Sequence, residues 1–288
     1  GYIQVPRGLL DKMQEKCEES RIVCDINDKR LHGRPIRVEF TGELKLQQEL
    51  AAEQLEHYEN GVLCAPTAFG KTVLAAYMIA KRKVSTLVLL ENVDLISQWI
   101  QEFERILKIE EQPPLYYTKT GKEKKRDSVI GTLRAGQDKT TGIIDFALIG
   151  SAYHKGDYFP NIDSYGLVLV DECHHVASAQ GQALLQRIRA KYIYGLSATP
   201  IRSDQLDEII YMLIGPVRHR YTAKQQADEQ GLERYVIPRF TRTLDLSGKK
   251  LTPQEADELI VDSAVRNDQI VMDVEQAVAL GRTPVVIT

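Results

Sequence analysis

Residues 65–72 combine the residue types and the spacing that bind phosphate groups. In order they are Ala65, Pro66, Thr67, Ala68, Phe69, Gly70, Lys71 and Thr72. The apolar run at 62–65 predicts a buried strand, and the alanine-rich stretch behind the segment predicts a helix. Between a strand and a helix, backbone N–H groups can surround phosphates while Lys71 reaches the outer ones and the Thr72 hydroxyl ligates Mg²⁺. The segment therefore predicts a phosphate-binding loop.

Alanine stands at position 65, where such loops usually have their first glycine. It fits there provided that the backbone needs no positive φ angle. The alternative interpretation of the whole segment is an ordinary junction between a strand and a helix that binds no phosphate.

Two adjacent carboxylates, Asp171 and Glu172, follow a second apolar stretch that predicts a buried strand. Carboxylates at the end of a buried strand cost free energy unless they bind a metal or take part in a reaction. Beside a phosphate-binding loop, the first would hold Mg²⁺ and the second would orient and deprotonate water. A third apolar stretch ends in two small hydroxyl residues, Ser197 and Thr199.

Together and in this order, the three segments resemble motifs I, II and III of superfamily 2 helicases. The matching letters are A-P-T-x-x-G-K-T at 65–72, D-E-C-H at 171–174 and S-A-T-P at 197–200. The D-E-C-H-H sequence is most similar to the motor subunits of type III restriction enzymes and to repair helicases of the xeroderma pigmentosum B kind. The resemblance implies ATP hydrolysis coupled to movement along, or remodelling of, nucleic acid.

The same resemblance implies a role for each matching residue. Lys71 and Thr72 would bind phosphate and Mg²⁺. Asp171 would hold the metal, and Glu172 would polarise the attacking water. The residues that would transmit the nucleotide state to the nucleic acid are His174, Ser197, Ala198 and Thr199. The implied cofactors are ATP and Mg²⁺.

Three further positions match motifs that contact the base or the nucleic acid. Gln48 lies where the family has its Q motif and would bond the adenine edge, although Gln47 replaces the aromatic residue often found before it. An ordinary amphipathic helix is the alternative for this segment. Asn92 lies in the match to motif Ia and Ser151 in the match to motif Ic, and both would contact nucleic acid. DNA and RNA both offer phosphates, and the resemblance favours DNA.

The composition is that of an ordinary globular chain. Of 288 residues, 43% are hydrophobic and 27% are charged, and the net charge is −3. A mildly acidic chain can still bind nucleic acid through a local cleft. The four cysteines show no C-x-x-C spacing, which predicts reduced, mostly buried thiols and no zinc site. Without a long apolar run or a signal-like N-terminus, the sequence predicts a cytoplasmic protein with no membrane partner.

The predicted elements indicate an α/β fold. At residues 43–245 the resemblance implies a RecA-like P-loop domain, a parallel sheet between helices with the nucleotide at the carboxyl ends of the strands. Residues 1–42 predict a small α+β module that either packs on the motor or senses nucleic acid. Residues 246–288 predict a linker and the beginning of an incomplete second RecA-like domain.

Several local predictions accompany these boundaries. The N-terminal module has predicted strands at 21–25 and 36–40, and the basic run at 119–126 is interpreted as a solvated loop. Residues 235–246 are predicted to be an extended connection. Beyond it, helices are predicted at 253–263 and 267–280, and a strand is predicted at 284–288.

Two other classes of function stay open. An ATPase without a nucleic-acid partner would need no S-A-T-P segment, and a module that uses ATP only as a switch would need no Glu172. In the family, arginines from a second RecA-like domain complete the ATP site, and no motif in this sequence contains them. We therefore expect these 288 residues to bind nucleotide weakly, hydrolyse it slowly and separate no strands.

Overall fold

The computed structural model describes most of the chain and divides it into two compact units. The described residues are 3–118, 120–134, 136–154, 156–198, 207–229, 231, 237–240 and 251–286. The first unit is Gly1–Leu232 and the second is Glu233–Thr288. None of the helices within these ranges has the length and apolar character needed to cross a membrane.

The first unit alternates helices and strands. Its helices are α1 Leu10–Glu19, α2 Leu46–Glu56, α3 Lys71–Arg82, α4 Val93–Ile106, α5 Ile149–Ala152, α6 Ala179–Arg187, α7 Asp207–Leu213 and α8 Ala223–Glu229. Its strands are β1 Val38–Phe40, β2 Asn60–Cys64, β3 Thr86–Leu90, β4 Leu107–Ile109, β5 Leu115–Tyr117, β6 Glu123–Lys125, β7 Ile130–Arg134, β8 Gln137–Asp138, β9 Ile144–Leu148, β10 Tyr153–His154, β11 Asp157–Tyr158, β12 Leu167–Val170, β13 Tyr192–Ser197 and β14 Val217–Arg220. The second unit contains α9 Pro253–Val261 and α10 Ala264–Ala279.

An eight-stranded sheet forms the centre of the first unit, in the order β14-β2-β13-β12-β3-β9-β7-β8. All neighbouring strands are parallel except β8, which runs antiparallel to β7 at one edge. Every residue of β2, β3 and β12 is buried, because helices cover both faces of a parallel sheet. The predicted α/β fold with a parallel sheet between helices is confirmed.

Two hydrophobic layers hold the helices on the sheet. One face packs against α2, α3 and α4, where the rings of Trp99, Phe103 and Phe146 contact one another at centroid distances of 5.3–6.3 Å. The opposite face packs against α6 and α7. The layers fix the sheet from both sides, so the loops at the carboxyl ends of its strands are held at defined positions.

The predictions for the N-terminal residues are partly confirmed. The strand predicted at 36–40 is present as β1, which pairs with β4. The strand predicted at 21–25 is wrong. Arg21 has a φ of 55°, and the Ile22 amide donates to Cys17 O at 2.8 Å, so this segment closes the end of α1. Val23 is 99% exposed, and none of the strands in the described ranges pairs with it.

The basic run at 119–126 does not form a simple loop. Residues 123–125 form β6, which pairs antiparallel with β5. The interpretation as a loop is therefore wrong for these residues, and their side chains have a fixed alternation between two faces. Lys119 lies outside the described residues.

The second unit confirms the two predicted helices as α9 and α10. Thr252 caps α9, with reciprocal bonds to Glu255. The strand predicted at 284–288 is wrong for residues 284–286, which form no strand and have exposed valine side chains; among the described residues no strand pairs with them. Residues 287–288 and most of the connection predicted at 235–246 lie outside the described residues.

The cysteines divide into two environments. Cys64 and Cys173 are buried, Cys17 is half-buried and Cys24 is exposed. Gly195 explains part of this burial, since a Cβ atom at that position would lie 2.8 Å from Cys173 Sγ. The prediction of buried thiols therefore holds for the two cysteines next to the sheet.

Replacing the fully buried Leu87 of β3 by alanine should lower the free energy of unfolding of the first unit by about 2–5 kcal/mol, because a cavity forms in the core. Urea denaturation followed by the fluorescence of Trp99, the sole tryptophan, measures this change. The control is Leu46→Ala, since Leu46 is 68% exposed. Equal effects of the two variants would contradict the described core.

Candidate functional site

The loop between β2 and α3 has the backbone that residues 65–72 predicted. Ala65 is buried and its amide donates to Ser197 O at 2.9 Å. Its φ is not positive, so alanine fits where a glycine is usual. Gly70 has a φ of 86°, and a Cβ atom there would lie 2.5 Å from Gln48 Nε2. The positive φ favours glycine at position 70, and a side chain there would also displace the Gln48 amide.

The first amides of α3 have no acceptor within the helix. Gly70 is its N-cap residue and provides no capping side chain. The amides of Lys71 and Thr72 are the first two of the helix and have no intrahelical acceptor. Such amides, with the positive end of the helix dipole, form a site for an anion. The remaining loop residues, Pro66, Thr67, Ala68 and Phe69, form the turn in front of it.

Lys71 is paired with a carboxylate across the site. Its Nζ atom lies 2.7 Å from Glu172 Oε1, and the lysine side chain is only 7% exposed. A buried ammonium needs a counter-charge, and Glu172 supplies it. The structure thus brings together two residues predicted from separate segments: Lys71 of the phosphate-loop segment and Glu172 of the D-E-C-H segment.

Glu172 has an unusual backbone. Its φ and ψ angles of 41° and 53° are left-handed, a conformation that costs a non-glycine residue of order 1–3 kcal/mol. Lys71 and the Ala198 amide, which donates to Oε2 at 3.4 Å, hold the side chain. Residues held in such strain cluster at functional sites.

The pKa values of the two carboxylates shift in opposite directions. Burial raises the pKa of the Asp171 carboxyl to about 6; Lys71 opposes this shift and Glu172 adds to it. Burial also acts to raise the pKa of Glu172, but the hydrogen bond and charge of Lys71 outweigh it and hold that pKa below its ordinary value. Near neutral pH, Glu172 is therefore the firmly ionised member of the pair.

The third segment touches the second. Ser197, the last residue of β13, is fully buried, and its Oγ lies 3.0 Å from His174 Nδ1. His174 Nδ1 is also 3.3 Å from Glu172 Oε2. A chain of polar contacts therefore runs from Lys71 through Glu172 and His174 to Ser197. Thr199 lies outside the described residues, and Ala198 is the last residue before that gap.

Gln48 lies beneath the loop. Its Nε2 donates to Phe69 O at 2.8 Å, and its Oε1 accepts from the Lys45 amide at 2.8 Å. The side chain is 3% exposed. These bonds attach α2 to the phosphate-loop segment, a contact that the sequence interpretation of Gln48 did not include.

Asn92 and Ser151 follow neighbouring strands of the sheet. Asn92 comes after β3 and caps α4 by accepting the Asp94 amide at 2.9 Å. Ser151 lies in α5, directly after β9. Because β3 and β9 are adjacent and parallel, both residues lie at the same edge of the sheet as Asp171 and Ser197.

Sequence reasoning missed one link at this edge. His175 Nε2 lies 2.8 Å from Glu91 Oε2, and the rings of His174 and His175 are 4.0 Å apart. Glu91 directly precedes Asn92, so this pair joins the second motif to the segment after β3. The doubled histidine in D-E-C-H-H was the available signal, but nothing in the sequence identified its partner.

The residues present fit a magnesium nucleotide. Mg²⁺ bound to phosphates needs only one or two protein ligands besides water, and the Thr72 hydroxyl and Asp171 carboxylate are oxygen donors of the right kind. Within the described part of the chain, no group of three or more His, Cys, Asp or Glu side chains could hold a metal by itself. A surface cavity of about 660 Å³ between α2 and α3 is lined by none of these site residues.

The family comparison matches the part of the chain that contains this site. The sequence profile of the family described as "Type III restriction enzyme, res subunit" matches residues 35–202. That range is more than half of the chain and includes all three predicted motifs.

Two curated relatives have related names. The DNA 3'-5' translocase XPB2 of Sulfurisphaera tokodaii is 27% identical over 208 residues, which cover 72% of this chain and 42% of the relative. The DNA 3'-5' helicase XPB of Mycobacterium tuberculosis is 29% identical over 186 residues, which cover 64% of this chain and 32% of the relative. The chain thus spans less than half the length of these relatives.

Solved structures resemble the chain more distantly. The crystal structure of the UvsW helicase from bacteriophage T4 matches 74% of this chain and 78% of its own, with a TM-score of 0.49 and 14% identity.

The raised pKa of Asp171 gives a signed dependence of stability on pH. Between about pH 4 and pH 6 the folded chain keeps a proton that the unfolded chain has lost, so this group makes the free energy of unfolding fall as pH rises. Asp171→Asn should remove that component, at most roughly 1.4 kcal/mol per pH unit. Urea denaturation across this range measures it, with the exposed Asp157→Asn as control. An unchanged pH profile in Asp171→Asn would contradict the described burial.

Proposed function

The chain belongs to the family described as type III restriction enzyme, res subunit, and from this premise we propose that it contains the ATP site of a superfamily 2 helicase or translocase that acts on DNA. The proposal assigns the ATP-binding RecA-like domain to 43–245, an accessory module to 1–42, and a linker with the start of a second such domain to 246–288. The relatives named as a DNA 3'-5' translocase and a DNA 3'-5' helicase support DNA as the substrate.

The ion pair between Lys71 and Glu172 is the observation that carries this proposal. The two charges neutralise each other at 2.7 Å in a site where the lysine is almost fully buried. We propose that ATP phosphates take over Lys71 as they bind. Glu172 is then released to orient and deprotonate the attacking water. Activation of water thereby depends on a bound nucleotide.

Thr72 and Asp171 are the proposed protein ligands of Mg²⁺, which would neutralise charge that develops on the phosphates. Asp171 is held by its backbone, since its amide donates to Leu89 O at 3.0 Å. A nearby cation favours the ionised carboxylate and so opposes the effect of burial on the pKa of Asp171.

Gln48 is proposed to bond the adenine edge. An amide side chain has two N–H donors and two acceptor lone pairs. The Lys45 contact uses one acceptor lone pair, and Nε2 donates to Phe69 O at 2.8 Å and to Gly70 O at 3.4 Å. The remaining acceptor lone pair could accept from the amino group of adenine, and the same side chain would link base recognition to the loop.

The polar chain from Glu172 through His174 to Ser197 supports a role in coupling. When Lys71 changes partner, Glu172 Oε2 is free to move relative to His174 and the Ala198 amide, which it now approaches within 3.4 Å. We propose that this movement is passed along Ser197, Ala198 and Thr199 to the edge of the sheet that contacts nucleic acid.

Asn92 and Ser151 are the proposed contacts to the DNA backbone. The side-chain oxygen of Asn92, Oδ1, caps α4. The N–H groups of the same side chain remain as donors to phosphate. Ser151 contributes a hydroxyl from α5. Contacts of this kind position a nucleic acid without reading its sequence.

The proposal is tested by ATP hydrolysis measured alone and with single-stranded DNA, duplex DNA or RNA. We expect slow basal hydrolysis that DNA increases. Hydrolysis that no nucleic acid changes would favour an ATPase with another partner. Binding of ATP without hydrolysis under every condition would favour a nucleotide switch.

Glu172→Gln should separate nucleotide binding from chemistry. Glutamine keeps the shape and one hydrogen bond to Lys71 but cannot accept a proton, so ATP should still bind while hydrolysis falls by about 10² or more. Lys71→Ala should weaken binding as well as abolish hydrolysis. Binding of a fluorescent ATP analogue and phosphate release measure the two effects, and the exposed Glu53→Gln is the control. Equal losses of binding and hydrolysis in Glu172→Gln would assign Glu172 a structural role.

Ser197→Ala should affect coupling more than chemistry. The change removes the hydroxyl next to His174 Nδ1 but no proposed phosphate or metal ligand. Basal hydrolysis should stay close to that of the original chain, while stimulation by DNA should fall severalfold. ATPase assays with and without DNA measure both, with the exposed Ser20→Ala as control. A parallel loss of basal and stimulated rates, with an unchanged melting temperature, would contradict the coupling role.

A further inference from the structure

We propose that the basic hairpin, residues 115–126, is an additional contact for single-stranded nucleic acid that lies outside the helicase motifs. The hairpin consists of β5, β6 and the turn between them. The inference rests on the proposed function, because it extends the path of the nucleic acid beyond Asn92 and Ser151.

The charge of the hairpin differs from that of the rest of the chain. Its twelve residues include five basic side chains and one acidic side chain, whereas the whole chain has a net charge of −3. Lys122, Lys124 and Lys125 are exposed, and within the described residues none of them has an ion-pair partner. The single acid, Glu123, accepts a hydrogen bond from the Tyr117 hydroxyl at 3.0 Å. The lysines are therefore available to phosphates.

The strand register separates the hairpin into an inner and an outer face. On the inner face, Arg126 lies 4.2 Å from the centre of the Tyr116 ring and donates to Asp138 O at 3.2 Å. This pair anchors the hairpin to β8 at the edge of the main sheet. The ring is stacked by a cation from its own hairpin and is half-buried.

The outer face presents an aromatic ring and one cation, Lys125, whereas Lys124 lies opposite Tyr116 on the inner face. Tyr117 is 71% exposed, and Leu115, opposite Lys125, is 60% exposed. The Tyr117–Glu123 bond fixes the hydroxyl and leaves the faces of the ring open. Proteins that bind single strands combine aromatic rings that stack on bases with cations that follow the backbone. The hairpin therefore combines an exposed ring and Lys125 on its outer face with two further exposed lysines, Lys122 in the turn and Lys124 on the inner face.

The hairpin lies close to the carboxyl ends of the parallel strands, where Asn92 and Ser151 are proposed to contact nucleic acid. The order β9-β7-β8 puts two strand spacings, about 10 Å, between the strand before Ser151 and the strand that Arg126 contacts. Arg134, at the carboxyl end of β7, is exposed between them. A strand of nucleic acid leaving Ser151 would meet cations along this route.

Two other interpretations of the hairpin lead to different outcomes. A purely solvated hairpin would make no contribution to binding. A contact for an acidic protein would use the same cations, but it would leave the affinity for nucleic acid unchanged. The exposed faces of Tyr117 favour the nucleic acid, because every base offers a flat surface to stack on.

The test measures the affinity of the full 288-residue chain for labelled oligothymidylate, oligouridylate and duplex DNA by fluorescence anisotropy at several salt concentrations. The variants are Lys122→Gln/Lys124→Gln/Lys125→Gln and, separately, Tyr117→Ala. The control is Lys83→Gln/Lys108→Gln/Lys224→Gln, which removes the same charge from exposed lysines outside both the hairpin and residues 1–42. Basal ATP hydrolysis and the melting temperature should be unchanged in all of them.

We expect the hairpin lysine variant to bind single strands more weakly. The slope of log affinity against log salt should also become less negative by about 2, which corresponds to three lost phosphate contacts. Tyr117→Ala should weaken binding roughly 5- to 100-fold through lost stacking. The DNA and RNA probes distinguish the two kinds of single strand. The control should match the original chain.

Two results would overturn the inference while the proposed function stands. One is that the original chain binds nucleic acid and the hairpin variants bind it with the same affinity and the same salt dependence. The other is a loss confined to duplex DNA. An original chain that binds none of the probes would instead contradict the proposed function itself, and the hairpin proposal with it.

Discussion

The buried ion pair between Lys71 and Glu172 is the constraint on which the site depends. A lysine that is 7% exposed requires a partner, and the partner must come from the neighbouring strand ends. Glu172 reaches it from a left-handed backbone conformation that costs free energy. The Ala198 amide and His174 then hold the second carboxylate oxygen. One pair of charges thereby links three segments that are far apart in the sequence.

Strand order makes this link possible. The order β2-β13-β12-β3-β9 puts the phosphate-loop segment, Ser197, Asp171, Asn92 and Ser151 at the ends of consecutive parallel strands. Parallel strands all end at the same edge of a sheet, where ligands of open α/β sheets bind. Small distances between groups at this edge follow from a strand spacing of about 5 Å, so each motif needs only to follow its own strand directly.

The sequence predicted the features that depend on local pattern. The apolar run at 62–65 lies mostly in β2, Asn60–Cys64, and the alanine-rich stretch behind the phosphate-loop segment forms α3. Features that depend on distant partners were less predictable. Apolar residues at 21–25 and 284–286 form no strand, since none of the described strands pairs with them, whereas residues 123–125 of the basic run form β6 because β5 pairs with them. The bond from Gln48 to Phe69 and the contact between His175 and Glu91 join residues whose proximity only the folded chain determines.

The difference in burial between the cysteines makes it possible to follow opening of the site by chemical modification. Cys24 is exposed, whereas Cys64 and Cys173 flank the phosphate-loop segment and the carboxylates in full burial. Burial also raises the pKa of both buried thiols, which lowers their thiolate content further. An alkylating reagent would therefore react first at Cys24 and reach the buried pair only when the strand ends open. The rate of that slower modification would report the local opening of the site, without any label placed on a residue that contacts nucleotide.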